Sequence, residues 1–314
     1  MEGKHIQVVV VYTHNVSRAI RVHELPKPGE TVRSIGYSEG VDGAKGTNVS
    51  IALGRLGIST ALVSSVRQGG WIEQGHTFLS QAGVDDSFIY QYEDPSYSRG
   101  AMFIDDHGNN VIVLSSGQQY IPETLIDEAL DRFHGAEYCV TGYELGEAGV
   151  KYTLFSAHKR GLKTIINPSP VPDVLPDYWD KADIVVLNEH ELARLLDDKT
   201  AAVNEERIKE SILLLRARCG CRSVVLTLGE RGYMVLEGTS IASESGITVD
   251  NVVDTSGAGD GFLAALTAGL AKGRSLQDAC SWANRYSSLS IQREGTISCY
   301  PQLEEAERIA GILG

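Results

Sequence analysis

At 314 residues, the chain is long enough for one large α/β domain or two domains, and its 42% hydrophobic and 22% charged content is ordinary for a soluble globular protein. A formal net charge of −13 argues against an electrostatic nucleic-acid binder, yet leaves room for a local positive site facing an anionic substrate. No apolar stretch reaches transmembrane length and no N-terminal apolar run leads to a cleavage site, so the expectation is a cytoplasmic protein that does not engage a membrane. Cys139, Cys219, Cys221, Cys280 and Cys299 are an odd, scattered set and read as reduced thiols; the C-x-C at Cys219 and Cys221 has no second pair to complete a zinc site.

Gln7 to Tyr12 is a β-branched run read as a buried strand, with Asn15 and Ser17 at its carboxyl end, where open α/β sheets place ligands. Pro26-Lys27-Pro28-Gly29-Glu30 then turns the chain, and Thr31 to Ser38 alternates weakly, as a small excursion from the main sheet. Gly43-Ala44-Lys45-Gly46-Thr47-Asn48 precedes a helix from Val49 to Gly57. Its glycines would let a ligand approach closely and Lys45 and Asn48 offer donors, although a plain turn before a helix has the same pattern. Thr60 to Val66 reads as a strand, Trp71 to Ala82 as a helix and Ser87 to Tyr92 as a strand. Arg99 to Ile104 and Asn109 to Leu114 flank Asp105-Asp106-His107-Gly108 as a hairpin. With Thr31 to Ser38, that hairpin can form a small lid.

Beyond Ile121-Pro122 the pattern alternates steadily. Helix 122–133 leads to strand 137–141, with Glu144 after it; a helix near 148–160 leads to strand 163–167, ending at Asn167-Pro168-Ser169-Pro170. The strand Ile184 to Leu187 runs into Asn188-Glu189-His190-Glu191 and a helix through Leu196. A helix from Glu205 to Arg218 precedes the strand Ser223 to Leu228, which ends in Gly229-Glu230-Arg231-Gly232. Short strands fill 233–250, and helices near 258–271, 275–291 and 303–312 follow. Alternation of this kind indicates a mostly parallel sheet covered on both faces.

The stretch with the most chemistry is Asp254-Thr255-Ser256-Gly257-Ala258-Gly259-Asp260. Three small residues open a helix, where backbone N–H groups lack intrahelical partners and the dipole favours an anion. Small side chains let a phosphate approach that backbone, and Asp260 puts a carboxylate beside it. A Gly-rich helix start with two capping acids has the same composition.

Taken with three further motifs, this stretch resembles the ribokinase/PfkB carbohydrate kinase family nearly end to end. Asp254 to Asp260 is similar to the family's D-T-x-G-A-G-D motif. Gly43 to Asn48 resembles its G-G-K-G-x-N, with Ala44 replacing the second glycine. Asn188 to Glu191 matches its N-x-x-E, and Thr227-Leu228-Gly229-Glu230-Arg231-Gly232 its T-L-G-x-x-G nucleotide loop. The resemblance implies a three-layer α/β/α sandwich with a mostly parallel central sheet and a small β lid. It also implies a single domain over 1–314, with the lid at about 15–42 and 96–115, and ATP-dependent phosphorylation of a hydroxyl. In that reading Asp260 is the general base and the N–H groups of Gly257, Ala258 and Gly259 form an anion hole. Asn188 and Glu191 would hold Mg²⁺ through its waters, or simply form a capping-box relative. Thr227, Gly229 and Gly232 would lie along ATP, or form a plain strand-to-strand turn. Asn284 would contact adenine, or face solvent. Asp254 and Ser256 would flank a monovalent cation such as K⁺.

For the acceptor, the resemblance points to Asn15, Gly43, Lys45, Asn48 and Glu144 as holders of sugar hydroxyls, with Tyr143 competing for the place of Glu144. Ribokinases carry an aspartate where this chain has Ser17. A charge-assisted bond lost there costs about 1.5–3 kcal/mol, so ribose is not assigned. Arg99 suits a substrate phosphate or carboxylate, or is a solvated strand-edge residue. His14 is either a substrate contact or packed at the strand end. A sugar or sugar-derivative kinase is the leading reading; a kinase for a phosphorylated or acidic sugar is a variant of it. A nucleoside kinase would need a base pocket from Tyr12, Tyr37, Tyr97 or Phe103. A dimer through lid edges is expected from the family and from exposed strand edges.

Overall fold

Short β-branched and aliphatic runs build the centre of the molecule. In chain order the strands of the computed structural model are β1 (Val8–Val11), β2 (Val16–Arg21), β3 (Gly36–Gly43), β4 (Thr60–Arg67), β5 (Asp85–Tyr92), β6 (Gly100–Ile104), β7 (Asn110–Leu114), β8 (Tyr138–Gly142), β9 (Lys163–Asn167), β10 (Ile184–Asn188), β11 (Ser223–Thr227), β12 (Tyr233–Glu237) and β13 (Ser240–Glu244). The helices are α1 (Lys45–Arg55), α2 (Ile72–Gln81), α3 (Glu123–Arg132), α4 (Gly146–Lys159), α5 (Glu189–Leu196), α6 (Glu205–Cys219), α7 (Ala258–Ala271), α8 (Leu276–Ser290) and α9 (Leu303–Ala310). The structure describes residues 5–14, 16–67, 72–93, 100–107, 109–114 and 120–310. Asn15, Tyr97 and Arg99 lie outside the described residues, and for Ser17 and Gly43 the backbone alone is described.

The main sheet runs in the order β13-β12-β11-β10-β9-β8-β1-β4-β5. It is parallel from β11 to β5, and β12 and β13 extend it antiparallel. Alternating side chains of each strand feed opposite layers. Val9 and Val11 pack with α3 to α6, including Ile126, Leu154, Leu192 and Ile212. Val8 and Val10 pack with α1, α7 and α8, including Leu53, Leu266 and Ala283. All four residues of β1 are buried on both faces, as a central parallel strand requires. This is the three-layer α/β/α sandwich that the alternation predicts.

The order of strands decides where a ligand fits. From β1 the chain winds outward to β4 and β5, then returns to β8 and winds the opposite way to β11. The connections diverge at β1 and β8, and open α/β sheets bind ligands in the crevice beyond the carboxyl ends at such a switch point.

A second sheet, ordered β3-β2-β6-β7, stands apart from the first. Its strands fall in the two segments expected for the lid, but their arrangement differs from the sequence reading. The β6–β7 hairpin pairs with β2, a strand not anticipated, and β3 begins at Gly36 instead of Thr31. Mixed polarity in Val16–Arg21 hides β2, because a two-sided small sheet leaves no clean period of two. A second correction concerns α1, which starts at Lys45, four residues before the periodic run. Ala44 gives no side-chain cap, and Lys45-Gly46-Thr47-Asn48 contains poor helix formers, so nothing in the sequence marks the start.

Candidate active site

Five parallel strands end at the crevice, two of them (β10 and β11) in motif residues. Thr13 and His14 follow β1, Glu144 follows β8, Ser169 follows β9, Glu191 follows β10, and Gly229 to Gly232 follow β11. The N-termini of α1 and α7 meet the same crevice. At their junction Asp260, 7% exposed in the first turn of α7, accepts hydrogen bonds from Lys45 Nζ at 3.2 Å and Asn48 Nδ2 at 2.8 Å. Residues more than 200 positions apart are thus brought onto one carboxylate. Because α1 begins early, Lys45 and Asn48 lie one turn apart on the same face.

Gly46 is required there for packing, not for ligand approach: a Cβ at this position would lie 2.4 Å from the Thr13 carbonyl oxygen. Gly259 is the opposite case, since nothing lies within 4 Å of the place its Cβ would occupy. Gly257 adopts φ 74° as the N-cap of α7, and its carbonyl accepts from Tyr300 Oη at 2.9 Å. The Ala258 N–H turns back to the Thr255 carbonyl at 3.2 Å. That bond occupies the N–H for which an anion-hole role is expected.

Lys45 is the positive centre of the site. Burial opposes its charge, but the carboxylates of Asp260, Glu144 and Glu191 outweigh burial and hold its pKa above the ordinary value. Glu144 receives a hydrogen bond from Thr13 Oγ1 across the switch point. Burial pushes the Glu144 carboxyl up to about 7, against the Lys45 ammonium and the Thr13 hydroxyl, which lower it. A 3₁₀ turn at Tyr143–Leu145 gives Tyr143 and Glu144 different partners. Tyr143 Oη faces the core, pairing with Tyr178 Oη at 2.8 Å and accepting from Trp179 Nε1 at 2.7 Å.

Asn188 and Glu191 form a reciprocal capping box at the start of α5, with both bonds at 2.9 Å. Burial raises the Glu191 pKa, with Lys45, the Asn188 backbone and the Ser169 hydroxyl opposing the rise. Among the described residues no group of three His, Cys, Asp or Glu could hold a metal ion directly. Thr227 Oγ1 donates to the Leu187 carbonyl, and Gly229 to Gly232 make the turn from β11 to β12. In that turn Gly229 (φ 57°) has open space at its Cβ position, whereas Gly232 is pressed against the Glu244 carbonyl. Asn284 is 8% exposed, not solvent-facing, and its amide donates to the Ser245 carbonyl at 2.9 Å. Asp254 is fully buried; its Oδ1 accepts from Ser256 N–H at 2.8 Å and its Oδ2 from Gly295 N–H at 3.1 Å.

Several residues here escaped the sequence reading. Thr13, Ser169 and Tyr300 are ordinary residues in sequence and acquire meaning only through their partners. His14 is packed at the strand end, its Nδ1 2.5 Å from Thr47 Oγ1, and burial lowers its pKa to about 4. Tyr12 is wholly buried under the site, against Gly142, where a Cβ would lie 1.9 Å from its hydroxyl. Burial raises its pKa well above the ordinary value, and Glu144, Asp260 and Glu191 add to the rise.

Known proteins share both sequence and architecture with this chain. A ribokinase of Mus musculus is 29% identical over 305 residues, covering 96% of this chain and 93% of the relative. A ribokinase of Schizosaccharomyces pombe is 28% identical, covering 96% and 97%. The crystal structure of a Cryptococcus neoformans ribokinase in complex with ADP superposes with a TM-score of 0.83 at 25% identity, covering 96% of this chain and 99% of that one. An Arabidopsis thaliana ribokinase complexed with ribose and ATP, 22% identical, shares the fold with a TM-score of 0.84 over 98% and 99% of the two chains. The model of the pfkB family of carbohydrate kinases matches residues 7–303, and the chain belongs to that family.

Proposed function

We propose that the protein transfers the γ-phosphoryl group of ATP to a hydroxyl of a sugar or sugar derivative. The observation that carries this reading is Asp260, held by Lys45 and Asn48 at the N-terminus of α7 and beside the open face of Gly259. A carboxylate so placed accepts the proton of an attacking hydroxyl, while the helix N-terminus faces the transferring phosphoryl group. Lys45 keeps Asp260 oriented and offsets the charge of three carboxylates. Glu144, Asn48 and Lys45 are the described candidates for acceptor hydroxyls, and Asn15, Ser17, Gly43 and Arg99 complete the proposed set.

For the nucleotide, Thr227 and Gly229 offer a polar edge and open backbone, and Asn284 shapes the loop at Ser245. Mg²⁺ would be held through its waters by Glu191 and Asn188, which the capping box fixes at the carboxyl end of β10. When bound, Mg²⁺ neutralises charge on the phosphates. A monovalent cation such as K⁺ fits beside Asp254 and Ser256. The Asp254 carboxyl group is fully buried and held by the N–H groups of Ser256 and Gly295, and a cation beside it would add to that compensation.

The small sheet acts as a lid over the acceptor. Exposed Tyr37, Val111 and Val113 on that sheet support a homodimer through it, and light scattering that gives a monomer at all concentrations excludes this. Cytoplasmic residence is supported by five free cysteines, and no helix among the described residues is long and apolar enough to cross a membrane. A net charge of −13 speaks against a nucleic-acid partner. Of the aromatics that a nucleoside pocket would need, Tyr12 is wholly buried and so is removed from the set. The test is ADP release with a panel of sugars and nucleosides: sugar-dependent release is expected, and turnover of adenosine with no sugar active overturns the reading.

A further inference from the structure

Besides the passage of β3 into α1, two side-chain contacts of the small sheet lead to the N-terminus of α7. Met102 on β6 is 4% exposed, and its sulfur accepts a hydrogen bond from Ser256 Oγ at 3.4 Å. Arg21, the last residue of β2, pairs through Nη2 with Glu294 Oε1 at 2.7 Å. Ser256 and Glu294 belong to two segments clamped together by one buried carboxylate, because Asp254 binds the N–H of Ser256 with one oxygen and that of Gly295 with the other. Ser256 is joined directly to Gly257, the left-handed turn that starts α7, and Thr296 and Tyr300 close around that same glycine. Ser256 and Glu294 thus stand between the small sheet and the backbone that precedes Asp260.

We propose that Met102 and Arg21 are positioning residues for phosphoryl transfer, so that seating of the small sheet sets the geometry of the Gly257–Asp260 backbone as well as covering the acceptor. The inference rests on the reading of Asp260 and its helix start as the transfer site. The two contacts divide the work. Arg21 and Glu294 are partly and largely exposed, 34% and 68%, so their pair adds little stability and acts as a register mark. Met102 is the tight contact, a soft side chain pressed on a buried serine. Positioning is where such contacts matter, since a displacement of about 1 Å can cost on the order of 100-fold in rate. An unseated sheet also admits water, so acceptor-independent ATP hydrolysis should rise relative to transfer.

The experiment measures kcat, both KM values and acceptor-free ADP release for the wild type, Met102→Ala, Met102→Leu, Arg21→Glu and the swap Arg21→Glu with Glu294→Arg. The acceptor is whichever the wild type phosphorylates. Met102→Ala is expected to lower kcat about tenfold at unchanged KM for ATP and to raise the hydrolysis-to-transfer ratio. Met102→Leu, of similar volume, should recover most of the loss. Arg21→Glu should lower kcat about fivefold, and the swap should restore it to within about twofold. If Met102→Ala fails to fold, the surface swap decides alone. An effect confined to the acceptor KM, or a swap that restores nothing, overturns the inference and leaves the kinase reading intact. A wild type that phosphorylates no acceptor overturns the kinase reading, and this inference with it.

Discussion

Replacing Glu144 by Gln should change how stability depends on pH, by an amount the structure sets. The Glu144 carboxyl is pushed from its ordinary 4.5 to about 7, first by burial, with Lys45 and Thr13 opposing. An acid whose folded pKa is raised binds more protons folded than unfolded. Its stabilising contribution is therefore fully present below pH 4.5 and is lost as pH rises to about 7. At about 1.4 kcal/mol per pH unit, the loss across that window is about 3 kcal/mol. Glutamine keeps the shape of the protonated acid and cannot ionise, so the variant lacks this slope. Urea unfolding of both proteins at pH 4 and pH 8 is the assay. The difference in unfolding free energy should shift by about 3 kcal/mol in favour of Glu144→Gln at the higher pH, while acceptor turnover falls. Parallel stability profiles would refute the placement of Glu144 in a buried cleft between Thr13 and Lys45.

His14 should show the opposite slope. Its folded pKa is depressed from 6.5 to about 4 by burial, so stability is retained above pH 6.5 and lost as pH falls towards 4. His14→Gln should flatten that acid arm in thermal melts between pH 7 and pH 4, and an unchanged acid arm contradicts the packing. Gly46→Ala and Gly259→Ala should separate packing from function. The first forces a Cβ to within 2.4 Å of a backbone oxygen and should cost at least about 2 kcal/mol in denaturant titration. The second meets nothing, should gain up to about 1 kcal/mol as a helix substitution, and should still lose transfer activity. Asn284→Ala should free the Ser245 carbonyl and raise the KM for ATP several-fold with little change in kcat, measured by ADP release.

Legibility from sequence followed the physics of each element. The layers were readable because α3 to α6 alternate with β8 to β11, each strand a short apolar run and each helix amphipathic. The helix start at Gly257 to Asp260 was readable because small residues and a first-turn acid leave a local mark. Lys45, Asn48, Glu144 and Asp260 do converge, as the family resemblance implied. The start of α1 was not readable, since it lacks a side-chain cap and opens with poor helix formers. Strand β2 was not, since its pairing partners are remote and it carries no period. The direction of Glu144 depends on a three-residue turn, and its bond to Thr13 spans 131 positions. Asn284 illustrates the remaining gap: its amide donates to the Ser245 carbonyl, a bond that neither the adenine-contact nor the solvent-facing expectation included. No local pattern encodes such contacts.

The central claim is that Asp260 is the base of a phosphoryl transfer. Asp260→Asn keeps the size of the side chain and one oxygen to accept from Lys45 or Asn48, yet removes the proton acceptor. With the sugar that supports ADP release in the wild type, the variant should lose about 10²–10⁴-fold in kcat, while titration calorimetry shows ATP binding largely intact. Near-normal turnover in Asp260→Asn would contradict the account.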